Sequence, residues 1–558
     1  MPETSLPHEL RPHERRRLAI VCAIFAFVLF APYVWAWLIT PDGFVYSGLL
    51  FSPDDQNVHL AWARQAHDGA FFFRDTFTHE SLVANPLFTN LFSWLLGVLS
   101  RVSFLPLIFW YHALRLIFAV LGLQWFARLV AGWTPDSRTR ILAVVLAAFS
   151  MGSGMLKPLL PGIIFTDRPD SVTVMPEMWT FASKLVFPLF SVSLALIVLV
   201  LWQVQRARRG EKNALLLGAF GLAILSNIHT YDAIPLGLLL LAWTAMNFFR
   251  PHATGALTTP EFDRTRLAPL VISLGALPPL FYQLWVFKNS IEFQQKALTP
   301  TPPPPLVSVL VSIGFFLLLG AVGIGAVRSG KIKAHLAIPV LWVVVAIACA
   351  YAPISFARKM LEGVHWPLCV VAAVGLAALL QKFSAQRARF VAFASLAFLS
   401  VSSIAFALWC LDNAADNNRA RENAFMPPLY LAQGDWAAMR ALDQSRQGRD
   451  GVVLSLPFLS NYIPRETGRT VFAGHWAETL NFWDSATKTG KLADTQRFYG
   501  IGRAMSEDEA RAWLQKNKIR FVVVGYHERR WMSELGGRVA LDLPVWKQTG
   551  DTTIYEVR

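Results

Sequence analysis

The chain has few cysteines and little charge for its length. Among its 558 residues only 16% are Asp, Glu, Lys or Arg, compared with about 25% in soluble domains. The four cysteines, Cys22, Cys349, Cys369 and Cys410, all lie inside apolar runs. This placement argues against a disulfide framework and against a thiolate metal site. The low charge argues against an ordinary soluble enzyme.

Several sequence motifs are also missing. The sequence has no internal repeat, no glycine-rich phosphate-binding loop and no Cys/His spacing typical of zinc sites. The formal net charge is +14, but Lys and Arg concentrate in short loops between apolar runs. Membrane helices show this distribution because basic loops stay in the cytoplasm. The basic charge therefore does not indicate a nucleic-acid partner.

What the chain has instead is long hydrophobic runs. Hydrophobic residues make up 54% of it, and the mean hydropathy is +0.41. A helix needs about 20 apolar residues to cross a bilayer, and the sequence predicts about eleven such spans. They are 18–39, 105–130, 141–155, 181–204, 214–228, 233–249, 267–287, 306–327, 336–351, 365–380 and 390–411. We therefore predict a polytopic α-helical membrane protein whose transmembrane module covers 18–411.

Basic loops predict the orientation of these spans. The loop 205–209 is strongly basic, and the charge of every second loop predicts a cytoplasmic side. Residues 1–17 precede a run that exceeds the roughly 7–15 residues of a signal-peptide core, so we expect a retained span with a cytoplasmic N-terminus. The apolar segment 86–102 would break this alternation, and we expect an interfacial or re-entrant helix there. The predicted location is the inner (cytoplasmic) membrane.

The composition changes after residue 411. Segment 412–558 is polar, and its patterns predict helices near 435–445 and 506–516. Apolar, β-rich stretches predict strands at 452–456, 521–524 and 552–557. We expect a small α/β domain on the outside face.

The first outside loop, 40–104, carries adjacent carboxylates and two histidines. Asp54 and Asp55 open it, followed by His59 and later by His79 and Glu80. One of the two aspartates could cap the helix predicted from residue 56, but both cannot serve as the same cap. We expect the pair to be surface-loop carboxylates with little packing role, available for chemistry.

Arg358 and Lys359 lie in a predicted outside loop, where basic residues should be scarce. A phosphate ligand would account for them, because Arg grips phosphate with two hydrogen bonds. The alternative is a salt bridge between Arg358 and Glu362 at helical spacing.

Other candidates carry charge or ligand atoms near the outside face. An ionisable side chain at membrane depth often faces a cavity, although Lys184 could instead extend towards the surface. A lone His229 is more often an ordinary hydrogen-bonded histidine than a metal ligand, and the turn 474–479 could be an ordinary loop. The candidates for binding substrate or metal are Asp167, Asp170, Glu177, His229, Asp232, His475 and Glu478, and those for binding phosphate are Arg168 and Lys184.

These features together resemble the GT-C superfamily of membrane glycosyltransferases. The likeness in organisation covers nearly the whole chain: a first span with its N-terminus inside, a long first outside loop that opens with an acidic pair, many further spans and a C-terminal α/β domain. The residues that resemble a bacterial branch of the superfamily are Asp54, Asp55, 62–66, Gly69, Arg74, Asp75, Phe77 and 229–232. His59 occupies a position where that superfamily often has Tyr.

The resemblance implies an enzyme that transfers a hexosyl or pentosyl unit from a polyprenyl-phosphate or -diphosphate carrier. The acceptor would be a hydroxyl of a glycan, lipid or protein at the outer face of the membrane. Asp54 or Asp55 would be the catalytic carboxylate, basic residues would hold the phosphate, and a divalent ion (Mg, Mn or Zn) could assist. The competing functions are a lipid or glycan flippase, a transporter, and a non-catalytic scaffold for envelope assembly.

Overall fold

The structure, a computed structural model, describes residues 10–153, 175–249, 264–417, 428–445, 447–448 and 451–558. Contacts between Cα atoms divide the chain into two compact units. Unit 1 is Met1–Pro32, His112–Gln283 and Pro300–Trp409. Unit 2 is Tyr33–Tyr111, Leu284–Thr299 and Cys410–Arg558, so the first outside loop and the C-terminal segment belong to the same unit.

Up to residue 417 the described chain is almost entirely helical. The helices are α1 (Pro12–Leu38), α2 (Pro53–His67), α3 (Leu91–Ser103), α4 (Leu107–Ala131), α5 (Ser137–Phe149), α6 (Thr180–Val186), α7 (Pro188–Ala207), α8 (Ala214–Ile228), α9 (Thr230–Phe249), α10 (Ala268–Ser273), α11 (Leu277–Asn289), α12 (Ile291–Leu298), α13 (Leu306–Ser312), α14 (Gly314–Arg328), α15 (Ala337–Ala350), α16 (His365–Leu380) and α17 (Ala385–Asn417). Apolar helices suit a bilayer because all their backbone hydrogen bonds are internal.

Seven helical segments of the described residues are long and apolar enough to cross a membrane. They are Pro12–Leu38, Leu107–Ala131, Pro188–Ala207, Thr230–Phe248, Thr265–Asn289, Ala357–Leu380 and Ala385–Asn417. The pair α13 and α14, bent by 65°, gives an eighth if it counts as one span. The protein is thus a multi-pass membrane protein, and the figure of about eleven spans stays a prediction.

Of two helix breaks, the first differs from the predicted pattern, and the second agrees with the separate spans predicted at 214–228 and 233–249. The unbroken span predicted over 181–204 is wrong, because the chain leaves the helix at Phe187 and restarts at Pro188. Proline has no N–H to continue the helix, and it forces the residue before it towards an extended conformation. A second break falls at His229, between α8 and α9. The helix α3 has only 13 residues, and the interfacial or re-entrant placement of 86–102 stays a prediction.

Helix α2 carries the acidic pair of the first loop. It begins at Pro53, which suits the first helical position because its missing N–H has no helical partner there. Asp54 and Asp55 follow in the first turn, where the helix dipole stabilises negative charge. Neither aspartate is the cap, since the N-cap position is Ser52, whose side chain makes no capping hydrogen bond.

The C-terminal segment contains a four-stranded sheet in the order β3-β4-β6-β5. The β3–β4 pair is parallel, whereas β4–β6 and β5–β6 are antiparallel. A separate pair joins β1 to β2. The elements are β1 (Phe44–Tyr46), β2 (Tyr430–Ala432), α18 (Gln433–Gln444), β3 (Val452–Leu454), α19 (Pro457–Ser460), α20 (Ile463–Thr467), α21 (Lys491–Phe498), α22 (Glu507–Lys516), β4 (Ile519–Val524), α23 (Tyr526–Leu535), β5 (Val545–Thr549) and β6 (Thr552–Glu556).

Both faces of the central strand β4 are buried. Val522 and Val524 belong to one hydrophobic cluster, and Phe521 and Val523 to the other. Side chains alternate between the two faces of a strand, so this strand has an apolar core on each side. The helices predicted near 435–445 and 506–516 and the three predicted strands are all present in the described segment.

Candidate active site

Asp54 and Asp55 lie beside His475 and Trp476 in unit 2, and we call these four residues the Asp54 cluster. The Nε2 of His475 lies 3.3 Å from Oδ1 of Asp55 and 4.0 Å from Oδ2 of Asp54. The indole Nε1–H of Trp476 donates a hydrogen bond of 3.2 Å to Oδ2 of Asp54. The structure thus brings together two carboxylates of the first loop and the imidazole and indole of a turn more than 400 residues later.

Buried side-chain hydrogen bonds connect helix α2 to the turn that carries His475 and Trp476. Asn57, one turn along α2, donates to Oδ1 of Asn461 at 2.6 Å. Asn461 in turn donates to the carbonyl of Gly474 at 3.1 Å, next to His475. The side chain of Arg465 donates to Oδ1 of Asn57 at 3.0 Å. Because these groups are buried and mutually satisfied, they fix the turn relative to α2.

The turn 474–479 is also bound to the first loop. The hydroxyl of Thr479 accepts hydrogen bonds from the backbone N–H groups of Gly474 and His475 and donates to the carbonyl of Phe77 at 2.7 Å. The backbone N–H of Leu480 donates to the hydroxyl of Thr78 at 3.3 Å. The turn is therefore a structured part of the site and not an ordinary exposed loop.

The two aspartates have different environments. Asp54 is buried, with 8% of its side chain exposed, whereas 55% of the Asp55 side chain is exposed. The expectation that both are surface carboxylates with little packing role is thus wrong for Asp54. Burial, and then the neighbouring charge of Asp55, raise the pKa of Asp54 to about 6. Its Oδ1 accepts no hydrogen bond from a described residue, so this atom has capacity for a substrate proton.

The hydrogen bonds of His475 determine what it can do. Its Nδ1 accepts the backbone N–H groups of Ala477 and Glu478, each at 3.1 Å. In the neutral ring the proton therefore sits on Nε2, the atom that faces Asp55. A protonated Nε2 cannot bind a metal ion, so the imidazole does not fit the Asp54 cluster as a ligand for a divalent ion. The Nε2–H group can donate to a carboxylate there.

A second buried carboxylate lies nearby in the same unit. Asp75 accepts the backbone N–H of Phe77 at 2.9 Å with one oxygen. Burial, followed by the charge of Glu478, raises the pKa of Asp75 well above its usual range. Glu478 itself forms an ion pair with Lys296, whose ammonium also lies 5.3 Å from the ring centre of Trp62. Glu478 thus has a cationic partner in Lys296.

The remaining candidates of the first loop make structural contacts. Glu80 forms an ion pair with Lys491. Burial acts to raise the pKa of Glu80, but the hydrogen bond from Lys491 outweighs it and lowers this pKa. His79 stacks on Phe472, and burial, then the charge of Lys491, lower the pKa of His79 to about 4. His59 packs edge-on against the ring of Trp62 at 5.2 Å. None of these three lies in the Asp54 cluster.

In unit 1, Arg358 and Lys359 lie in a short 3₁₀ turn, Ala357–Leu361, before α16. A guanidinium nitrogen of Arg358 is 3.5 Å from Glu177. The ammonium of Lys359 lies 4.3 Å from the ring centre of Tyr231. The salt bridge considered between Arg358 and Glu362 is wrong, because among the described residues Arg358 pairs with Glu177, and Glu362 lies elsewhere.

Glu362 instead joins His229 and Asp232, and we call these three residues the Asp232 cluster. The Nδ1 of His229 is 2.9 Å from Oδ2 of Asp232 and 3.5 Å from Oε2 of Glu362. The hydroxyl of Ser193 donates to the other oxygen of Glu362. All three members of the cluster are buried. The sequence identifies His229 and Asp232 as candidates, whereas for Glu362 it suggests only a salt bridge.

Lys184 does not extend towards the surface. It is fully buried in α6, and its ammonium lies 5.5 Å from the ring centre of Trp366 and 3.5 Å from the carbonyl of Ser191. Outward extension is therefore wrong for Lys184, and a solvent-facing phosphate contact has no support there. The candidates Asp167, Arg168 and Asp170 lie outside the described residues.

The architecture resembles that of known membrane glycosyltransferases. One is the archaeal oligosaccharyltransferase AglB from Archaeoglobus fulgidus, solved in complex with an inhibitory peptide and a dolichol-phosphate. It is 13% identical, with a TM-score of 0.45 over 92% of this chain and 70% of that chain. Another is the arabinofuranosyltransferase AftD from Mycobacteria, 15% identical, with a TM-score of 0.51 over 99% of this chain. This chain spans 40% of the length of AftD.

No protein-family model matches the sequence, and no curated protein matches it significantly. The likeness is therefore one of architecture, and the AftD superposition extends over nearly every residue of this chain. The fold of this protein is similar to that of the matched part of the arabinofuranosyltransferase AftD.

Proposed function

We propose that this protein is a membrane glycosyltransferase that moves a sugar from a polyprenyl-phosphate carrier to an acceptor hydroxyl, with Asp54 as the general base. The observation that carries the proposal is the environment of Asp54. It is buried, its Oδ1 has no hydrogen-bond partner among the described residues, and its pKa is raised to about 6. The GT-C-like fold supports the reaction class, since AftD is an arabinofuranosyltransferase.

The chemistry follows from the two oxygens of this carboxylate. Trp476 donates to Oδ2, which fixes the plane of the carboxylate and leaves Oδ1 for the acceptor. As the acceptor oxygen attacks the anomeric carbon, its proton passes to Oδ1 of Asp54. The bond between that carbon and the phosphate oxygen breaks, and the lipid phosphate leaves with the electron pair. A base with a pKa just below neutrality combines the required charge with useful basicity.

Asp55 and His475 act on the position of Asp54. The charge of Asp55 contributes to the raised pKa of Asp54. The Nε2–H of His475 faces both carboxylates and is closer to Asp55. In this proposal Asp55 and His475 are positioning residues, and Asp54 is the residue that contacts the acceptor.

For the donor, we propose that Arg358 and Lys359 bind the lipid phosphate. Both are cations in a predicted outside loop, and the side chain of Arg358 is 22% exposed. The planar guanidinium suits phosphate, with which it can form two parallel hydrogen bonds. The carboxylate of Glu177 at 3.5 Å keeps the guanidinium in place before substrate arrives.

The test is complementation of cells that lack the protein. Lipid extracts and surface glycans are compared by mass spectrometry after complementation with wild type, Asp54→Asn, Asp55→Asn or Asp68→Asn. Asp68, at the other end of α2, pairs with Arg64 and serves as the matched control. We expect Asp54→Asn to leave a polyprenyl-linked sugar accumulated and a glycan missing, because loss of a general base costs about 10²–10⁴-fold in rate.

The outcomes separate the competing functions. A scaffold would work with Asp54→Asn as well as with wild type. A flippase or transporter would fail to deliver the lipid-linked sugar across the membrane, and purified protein would not join donor to acceptor. Normal glycans with Asp54→Asn and lost glycans with Asp55→Asn would instead assign the base to Asp55.

We also propose the orientation predicted from the basic loops, with the N-terminus in the cytoplasm and the first loop outside. Arg208, in the basic loop after α7, would then be cytoplasmic. The test is labelling of a single cysteine placed at Arg208 or at Asp68, with a reagent that cannot cross the membrane. Labelling of the Arg208 position from outside intact cells would overturn this orientation.

A further inference from the structure

The Asp232 cluster has the composition and burial of a metal site. His229, at 8% exposure, Asp232, at 1%, and Glu362, at 3%, are all more than nine-tenths buried. Their ligand atoms lie within 4.8 Å of one another. Two carboxylates taken out of water at such short range repel each other strongly unless a positive charge or shared proton compensates.

Asp232 lies within hydrogen-bonding reach of Ser193 and Glu362, but the geometry of these contacts is poor. Four of their buried atoms make no hydrogen bond of good geometry with any described residue: Nδ1 of His229, both carboxylate oxygens of Asp232, and Oε2 of Glu362. Buried polar atoms without partners are rare, and each one requires an explanation. Here all four belong to one cluster and come from three different side chains.

The distance from His229 to Glu362 matches the spacing of ligand atoms around a bound ion, whereas the distance to Asp232 is shorter and would have to lengthen on binding. The Nδ1 of His229 is 2.9 Å from Asp232 and 3.5 Å from Glu362. For four-coordinate Zn²⁺ with bonds of about 2.0–2.2 Å, ligand atoms lie about 3.3–3.6 Å apart. One imidazole nitrogen and two carboxylate oxygens, with a fourth position open, form a ligand set that Zn²⁺ accepts.

The surroundings hold these ligands in place. His229 occupies the break between α8 and α9, and its ring packs edge-on against those of Phe190 and Tyr231. The hydroxyl of Ser193 binds the oxygen of Glu362 that does not face His229. Such second-layer hydrogen bonds orient metal ligands and are a regular part of metal sites.

We propose that His229, Asp232 and Glu362 bind a divalent transition-metal ion of the Zn²⁺ type, with Ser193 orienting Glu362. The nitrogen that faces the carboxylates is Nδ1, and in this cluster no described backbone N–H group occupies it. This distinguishes it from His475, whose Nδ1 is already engaged. Metal binding at this cluster is independent of whether Asp54 is the base of a transfer reaction.

The test measures metal in the purified full-length protein. Protein in detergent is stripped with a chelator, incubated with Zn²⁺ alone, desalted and analysed by mass spectrometry for metal content. We expect about one Zn²⁺ per chain in wild type and a large loss in His229→Gln and Glu362→Gln, because each removes one of three protein ligands. Ser193→Ala should weaken Zn²⁺ affinity by about 10-fold or more, as is typical of second-layer changes.

His475→Gln and Asp54→Asn are the controls, since they alter the other group of carboxylates and histidine. Both should retain Zn²⁺. If Zn²⁺ were lost from these two variants and kept in Glu362→Gln, the ion would belong to the Asp54 cluster and the proposal would be wrong. Wild-type protein that takes up no Zn²⁺ at saturation would also overturn it and would leave a shared proton as the explanation of the buried carboxylates.

Folding of the variants is judged separately by size-exclusion chromatography. If the His229 and Glu362 variants aggregate, wild-type protein loaded with Co²⁺ decides the question, because a nitrogen and oxygen ligand set gives visible absorption bands that differ from those of Co²⁺ in water. A spectrum identical to that of aqueous Co²⁺ would exclude binding. Ser193→Ala, which removes no ligand, then tests the location through its weaker affinity.

Discussion

Replacing Asp54 by Asn should separate catalysis from stability. The amide has nearly the shape of the carboxylate, and its oxygen can still accept the hydrogen bond from Trp476. What the substitution removes is a negative charge buried next to Asp55. We therefore expect Asp54→Asn to abolish sugar transfer and, at neutral pH, to make the folded protein more stable. A buried carboxylate that is kept for activity commonly lowers the stability of the folded protein.

The size and the pH dependence of this gain follow from the pKa of Asp54. The rise of its pKa from the ordinary value of 3.8 to about 6 corresponds to about 3 kcal/mol. This is an upper limit, since the neighbouring groups can reorganise. Because the pKa is raised in the folded state, the wild-type protein loses this stability as the pH rises from about 4 to about 6. The gain of Asp54→Asn should be complete above pH 6 and absent below pH 4.

The assay is thermal unfolding of both proteins in the same detergent at pH 5 and at pH 8. We expect the advantage of Asp54→Asn to be larger at pH 8. Asp55→Asn is the matched control and should shift the unfolding temperature less, because 55% of the Asp55 side chain is exposed. A variant that is less stable than wild type at pH 8, or a gain that is largest at pH 5, would refute the assignment of a raised pKa to Asp54.

Three further predictions concern other residues of the two clusters and of the phosphate site. Arg358→Ala should raise the KM for the lipid donor by about 10–100-fold, since a hydrogen bond to a charged group contributes about 1.5–3 kcal/mol. Arg358→Lys should restore only part of the lost donor binding, because the planar fork of the guanidinium is missing. His475→Ala should destabilise the protein by about 1–3 kcal/mol, because two buried backbone N–H groups lose their acceptor, which thermal unfolding would detect. Trp476→Phe should move the acidic limb of the pH–rate profile to higher pH, because loss of the hydrogen bond to the charged form raises the pKa of Asp54 further. An unchanged limb would mean that Asp54 does not control the rate.

Local sequence patterns predicted much of the secondary structure. The helix expected from residue 56 begins at Pro53, and the helices and strands expected after residue 411 are present in the described segment. These elements depend on the spacing of apolar residues and on local turn residues, which can be read along a single stretch of chain. The break at Pro188 had a signal too, since proline disfavours continuation of a helix, but the hydrophobicity of 181–204 outweighed it.

The contents of the candidate sites could be predicted only in part. The acidic pair and His475 were recognised as candidates by their residue types, and the structure places them together. Their contact joins residues more than 400 positions apart, which no periodicity encodes. The partner expected for Glu362 was wrong for the same reason: helical spacing suggested Arg358, but Glu362 contacts Ser193, His229 and Asp232. Short-range spacing cannot rank partners that tertiary packing brings in.

The two histidine clusters show why residue types alone do not decide chemistry. Each combines one histidine with two carboxylates. In His475, two backbone N–H groups occupy Nδ1, so the proton on Nε2 can only be donated to the carboxylates. In His229, the nitrogen that faces the carboxylates has no such donor, so its lone pair can bind a cation. We therefore propose proton transfer for the Asp54 cluster and metal binding for the Asp232 cluster. A chelator should accordingly empty the Asp232 cluster while leaving the stability difference between wild type and Asp54→Asn unchanged.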